Sequence, residues 1–270
     1  MRTTRSRSAR LLASAAVIAA VAAVVAGCQT TQSTATTGSL ALVPPGDRSQ
    51  AAWRGDVASY GQEYRASPSN LDIALHYAQA LRATGQSAQA LAVMQRASIN
   101  NPYNKAVLGE YGRTLAENGD YQQAFDVFNR AQTPDQPDWR ILSAQGAVLD
   151  QMGRHKDAQR FYLTALKIAP NDPSVLSNLG LSYALSHDLP DAEKVLREAA
   201  AQHPVDPRVR QNLALVVGLE GRFAEAENIA RADLPADQAA ANVAYLQQML
   251  AHKTGASMNN QIARRESGSS

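Results

Sequence analysis

Cysteine occurs once in the 270 residues, at Cys28, so no internal disulfide can form and the fold must hold together by packing alone. Aromatic side chains are scarce, at 6% of the chain, while alanine is abundant, which favours closely packed helices over a sheet. No charge of one sign dominates. There are 26 basic and 24 acidic side chains, and Arg2, Arg5, Arg7 and Arg10 supply the excess; without those four, 22 face 24 and the net is near −2. The apparent pI of 8.7 therefore lends no support to nucleic-acid binding, which needs a basic face to neutralise phosphates. Gly-rich phosphate loops are absent as well, the glycines of the body standing singly.

What is present begins at the N-terminus. Leu11 to Val25 follow the four arginines without a charge, and Val25-Ala26-Gly27-Cys28 closes the run. A basic head, a short apolar core and small residues at the end are the layout of a secretory signal. The segment resembles a bacterial lipoprotein signal, whose lipobox ends at the cysteine that becomes the acylated first residue. A plain signal peptide or a single membrane anchor are the alternatives, and a lone cysteine at this point argues against both. The resemblance implies that residues 1–27 are removed and that Cys28 carries a covalent lipid, with no other cofactor called for. Residues 28–48, rich in Thr, Ser and Gln and containing Pro44-Pro45-Gly46, then read as a flexible tether. About 20 residues of random coil would hold the following domain roughly 25 Å from the lipid. Residues 253–270 are polar and rich in Gly and Ser, and are expected to form a loose tail.

Between tether and tail the sequence repeats. Ala90, Ala124, Ala158, Ala192 and Ala226 recur every 34 residues, and Ala78, Gly112, Gly146, Gly180 and Ala214 recur twelve residues before them. Leu81, Leu115, Leu149, Tyr183 and Val217 form a third set. Gly85, Gly119, Gly153 and Gly221 mark a turn in four units, with His187 in the remaining one. Pro68, Pro102, Pro170 and Pro204 close units, and Pro137 stands one residue late. The spacing predicts a pair of antiparallel helices per unit. The small residue of the first helix is expected to face the alanine of the second, so that the backbones approach closely. Phe128, Tyr162 and Met94 are expected to fill the space between successive pairs. One pair cannot bury its apolar face alone, so units must stack.

This pattern resembles the tetratricopeptide repeat. The resemblance implies an all-α fold, a right-handed superhelical solenoid of helix-turn-helix units at 71–104, 105–138, 139–172, 173–206 and 207–236. Residues 49–70, with Trp53, Val57, Tyr60 and Tyr64 on one side of a helix, are expected to cap the first unit. In the last unit Ala230 and Asp233 depart from the bulky and alanine positions of the others. Residues 237–252 place Val243, Leu246, Met249 and Leu250 on one helical stripe, either a capping helix or a partner-binding one.

No catalytic constellation is visible, and no enzyme is expected. His76, His155, His187, His203 and His252 include no pair at i, i+3 or i, i+4, which leaves a helix-borne metal site unsupported. His155 and His187 both fall near inter-helix turns. Glu110, Glu117 and Asp150 lie on different units with no partner arrangement apparent. The surface left for function is the concave face lined by the first helices. It is expected to be polar at one end, with Asp72, Gln79, Arg82, Arg113, Glu117, Arg140 and Asp150, and apolar at the other, with Leu181, Leu185, Leu215 and Leu219. Arg82, Arg113 and the four leucines are the candidate peptide-binding groove, unless the C-terminal helix folds over Leu215 and Leu219. Chaperone-type repeats clamp a terminal carboxylate with basic and Asn side chains. The matching positions hold Ser143, Ala147, Asn178, Arg208 and Asn212, of which two fit at most, so free C-termini are not the expected ligand.

Taken together, the lipobox at Cys28, the tether, Tyr60-Gly61-Gln62-Glu63-Tyr64, Tyr77-Ala78-Gln79-Ala80-Leu81-Arg82, five repeats and a closing Gln238-Ala239-Ala240-Ala241-Asn242-Val243-Ala244-Tyr245-Leu246 are similar to one narrower family. The chain resembles the tetratricopeptide-repeat lipoprotein of the tight-adherence (Tad, Flp-type) pilus assembly system. The resemblance implies a pilotin-like accessory that helps an outer-membrane secretin assemble, with the secretin or other pilus-assembly components as partners. Gln29 rather than Asp after the cysteine implies sorting to the outer membrane, facing the periplasm. A general scaffold lipoprotein of another envelope, pilus or secretion system is the alternative, and an envelope enzyme with an unrecognised site a more distant one.

Overall fold

A computed structural model describes residues 49–267 apart from 134, 136 and 203, with side chains as far as His252. The signal segment, Cys28, the tether and His203 lie outside the described residues. All the regular structure described is helical, and the chain divides at Ser186 into two compact units.

Unit one holds α1 (Gln50–Ala66), α2 (Leu71–Ala83), α3 (Ser87–Asn100), α4 (Lys105–Glu117), α5 (Tyr121–Ala131), α6 (Trp139–Gln151), α7 (His155–Ile168) and α8 (Pro173–Leu185). Unit two holds α9 (Leu189–Ala200), α10 (Pro207–Leu219), α11 (Phe223–Ala230) and α12 (Ala236–Ser267).

Each first helix starts behind an Asn or Asp, a further 34-residue period that the sequence reading passed over. Asn70, Asn104, Asp138, Asp172 and Asp206 accept from backbone N–H groups of the first turn, at 2.8–3.3 Å. These side chains satisfy donors that a helix start otherwise leaves unpaired. The first helices end in a left-handed residue: Gly85, Gly119, Gly153 and Gly221 have φ between 73° and 87°, and His187 takes the same conformation at 64°. The turn closes on the third periodic set, since Gln86, Asp120, Arg154 and Arg222 donate back to the carbonyls of Leu81, Leu115, Leu149 and Val217 at 2.8–3.2 Å. The late proline of the third closure is accommodated by Gln132, whose side-chain amide donates to the Asp138 carbonyl and accepts from the Asp138 N–H, both at 3.0 Å.

Within pairs the aromatic side chains sit against the periodic glycines. A Cβ placed on Gly146 would lie 2.7 Å from Cε1 of Tyr162. At Gly112 the same construction meets the Phe128 ring at 2.5 Å. The aromatic rings therefore lie over the glycines of their own pair. A glycine is needed there because the ring leaves no space for a Cβ. Tyr162, Phe128 and Met94 are among the largest fully buried side chains. At the start of unit one, α1 packs on α2 with Gly61 under the Tyr77 ring, and Tyr60 stacks on His76 at 5.3 Å between centroids.

In unit two the departures of the last pair have a cause. Ala230 leaves room for α12 to approach, and Ala214, Ala230 and Ala239 form one buried cluster. Leu246 of α12 lies against Gly218, where a Cβ would come within 2.5 Å of it. Asp233, at a position where other units carry Ala, accepts with both carboxylate oxygens from the Nε–Nη2 edge of the Arg210 guanidinium, with Nε at 2.7 Å. The tail expected over 253–270 does not begin at His252: α12 continues to Ser267. No proline follows Pro235, and a single Gly255 costs only about 1 kcal/mol against a helix already nucleated on its packed first half.

Candidate functional site

In unit one α2 and α4 meet through charge. The Arg82 guanidinium forks onto Glu117, with Nε and Nη2 donating at 2.8 and 2.5 Å, and its Nη1 bonds Glu110. Its side chain is 12% exposed. Burial works against the charge, but the two carboxylates outweigh it and hold the guanidinium above the ordinary arginine value. Arg82 is thus committed to its own fold and cannot also steer a ligand. The partnership was encoded at a separation of 35 residues, one more than the repeat, which places the two side chains on neighbouring first helices.

Arg113 stands differently. Its Nη1 lies 3.7 Å from Glu110, beyond hydrogen-bonding distance, and it donates to no described residue. Burial pushes it below the ordinary value, Glu110 and Asp138 oppose that, and Arg82 and Arg140 add to it. Arg140 is exposed and rests over the Trp139 ring, 4.4 Å from its centroid.

Asp150 gains the partners that sequence did not reveal. Its carboxylate accepts from Tyr162 Oη at 3.1 Å and Ser182 Oγ at 2.8 Å, and lies 2.9 Å from His155 Nδ1. A serine, a histidine and an aspartate come together, yet Ser182 donates to the carboxylate and not to the imidazole, and it is fully buried. The arrangement lacks a nucleophile–base pair and serves to lock α6, α7 and α8 together. Asn178 likewise turns inward, donating to Ser143 Oγ at 3.3 Å, with both side chains buried. Among the described residues no group of three His, Cys, Asp or Glu side chains is placed to hold a metal ion.

Leu181 and Leu185 belong to unit one, Leu215 and Leu219 to unit two, and all four are half-buried. α12 seats on Ala214 and Gly218, one residue away from the Leu215 and Leu219 positions in the sequence of α10. The large apolar side chains that are exposed in unit one lie elsewhere: Ile99, Leu163 and Ile168 on second helices and Tyr103 on a turn. Tyr103 falls where the next two units carry Pro137 and Asn171, and that break in the period was its only sequence signal.

A family model described as tetratricopeptide repeat matches residues 75–138 and 143–207. The helix pairs over those residues are tetratricopeptide repeats. No protein of curated function matches the sequence. Among solved structures, a thermophilic repeat protein of the same kind, TTC0263 of Thermus thermophilus, is 22% identical, with a TM-score of 0.57 over 67% of this chain and 99% of that one. PilW, a widely conserved type IV pilus biogenesis factor, is 16% identical, with a TM-score of 0.64 over 72% of this chain and 91% of that one. The hetero-tetramer of Cut9 and Hcn1 from the APC/C gives 15% identity and a TM-score of 0.61, covering 75% of this chain and 40% of that one. At these identities the likeness is one of fold. The repeats explain the periodic glycines and alanines here.

Proposed function

We propose that this protein is a membrane-anchored protein–protein interaction scaffold, a pilotin-like accessory for assembly of a tight-adherence (Flp-type) pilus secretin. The observation that carries the interaction role is the first-helix face of unit one. There, next to internally satisfied groups such as Arg82 and Asn178, stand a guanidinium without a hydrogen-bond partner at Arg113 and the half-buried Leu181 and Leu185. A surface of this kind is completed by a partner segment that supplies both apolar and polar contacts. The anchor rests on the sequence around Cys28, which would carry the lipid and hold the scaffold at the outer membrane, facing the periplasm, where the pore assembles. That a type IV pilus biogenesis factor shares the fold is in keeping with this role.

The test is recovery of the secretin on gentle solubilisation of membranes. Replacing Leu181 and Leu185 by Ser should leave folding and lipidation intact while lowering secretin recovery and pilus production. Normal assembly with the folded double variant would remove the groove as the binding surface and leave α12 to be tested. Co-purification of a different envelope complex from the wild type would reassign the scaffold to that system.

A further inference from the structure

Arg113 poses a specific chemical problem. Its side chain is 19% exposed, and the carboxylate nearest to it, Glu110, has its other oxygen on Arg82. Both oxygens of Glu117 are also taken by Arg82. Glu110 Oε2 stands 3.7 Å from Arg113 as an ion pair without a hydrogen bond, so the guanidinium keeps its donors unused, and the Arg140 charge works against it. The Arg113 guanidinium is not loose. It lies over Gly109, where a Cβ would come within 3.5 Å of Nη1 and 3.0 Å of Ile141 Cδ1. The guanidinium thus lies against its own helix, so little freedom is lost when it engages a ligand.

Any partner that covers this face strips the remaining water from Arg113. A neutral side chain would leave a buried charge with donors unused, whereas a carboxylate accepts from the planar fork and replaces that water. We propose that the first-helix face of unit one docks an extended partner segment through an internal acidic side chain, Asp or Glu, whose carboxylate is taken by Arg113 with Arg140 beside it. This rests on the interaction role given above and adds the chemistry of the partner. A chain terminus is the poorer guest, because Asn178, which would hold a second carboxylate edge, is buried and turned to Ser143. Leu181 and Leu185 then meet apolar residues of the same segment, giving a ligand in which acidic and apolar positions are mixed.

The experiment is binding of the purified domain to an array of random-sequence short peptides anchored through their C-termini, so that no free carboxyl terminus is offered. Bound peptides should be enriched in Asp and Glu. The tightest of them should bind about tenfold or more weakly to the Arg113→Gln protein, and its Glu→Gln counterpart should lose as much against the wild type. Arg140→Gln should cost less, since that side chain is exposed. Arg113 has no hydrogen-bonded partner to forfeit, so the Arg113→Gln protein should melt within a few degrees of wild type, which keeps the comparison between folded proteins. Peptides captured without acidic enrichment, or with an enrichment unchanged by Arg113→Gln, overturn the acidic-partner inference and leave the groove standing. Capture that survives both Arg113→Gln and the Leu181, Leu185 double change overturns the groove itself.

Discussion

Gly146→Ala adds one methyl group and should destabilise unit one. The new Cβ would lie 2.7, 2.8 and 3.0 Å from Cε1, Cζ and Cδ1 of Tyr162. The ring has little room to yield: Tyr162 is 1% exposed, and its hydroxyl is tied to Asp150, which is itself held by Ser182 and His155. Overpacking of this sort costs about 1–3 kcal/mol, and displacing the ring also strains a hydrogen bond to a carboxylate worth about 1.5–3 kcal/mol. Against that stands a gain of about 1 kcal/mol from replacing glycine inside a helix. The net is a loss of about 2 kcal/mol, or a fall in Tm of about 4–8 °C for a chain of this size. Far-UV circular dichroism during thermal and urea unfolding measures it. Gly55→Ala is the matched control, since it lies in α1 with nothing within 4 Å of the added carbon, and should stabilise by up to about 1 kcal/mol. Combining Gly146→Ala with Tyr162→Leu should recover part of the loss, because the smaller side chain makes way for the methyl. If Gly146→Ala raises Tm as Gly55→Ala does, the glycine is not there to seat the ring and the packing argument is wrong.

Ala158→Leu should also destabilise by about 1–3 kcal/mol, because Ala158 is fully buried between helices; a Tm within about a degree of wild type would contradict its place in the repeat. In unit two, hydrogen bonds from Arg222 and then Arg197 hold the Glu193 carboxyl below its ordinary range against the opposing effect of burial. A carboxyl depressed by folding contributes stability that is present above the unfolded value of about 4.3 and is lost as pH falls through the lower folded value. Glu193→Gln should therefore flatten the acid side of the stability curve below about pH 4 and leave its slope near neutrality unchanged, as read from denaturation midpoints across pH. Cys28→Ser should abolish lipid attachment and release the protein from membranes, since a hydroxyl cannot carry a thioether-linked lipid; mass spectrometry finding an unmodified Cys28 in membrane-derived wild type would refute it.

The repeat is legible in the order of residues alone. Helix pairs, turns and their order follow from residues that act within a few positions of one another: an Asn or Asp that caps a helix start, a glycine that takes a left-handed φ, a proline that ends a run. Such effects recur wherever the residues recur, so a period of 34 reads directly as a structure. The caps at Asn70, Asn104, Asp138, Asp172 and Asp206 share the period, but two residue types fill the one role and blur the repeat. Which side chains meet is set by the stacked helices. The periodic residues at Gly146 and Ala158 are small, and it is the ring of Tyr162 that fills the space over Gly146, because close approach depends on where a bulky neighbour points and not on the size of the periodic residues alone. Arg82 and Arg113 look alike in sequence, but Arg82 is neutralised by two carboxylates from the next first helix while Arg113 is left without a hydrogen-bond partner. Asp233 reads as a defect in the period until Arg210 is found on it. Charge pairing of this kind is set by distances of a few ångströms between residues 20 to 35 apart in sequence, and those distances exist only once the helices have stacked.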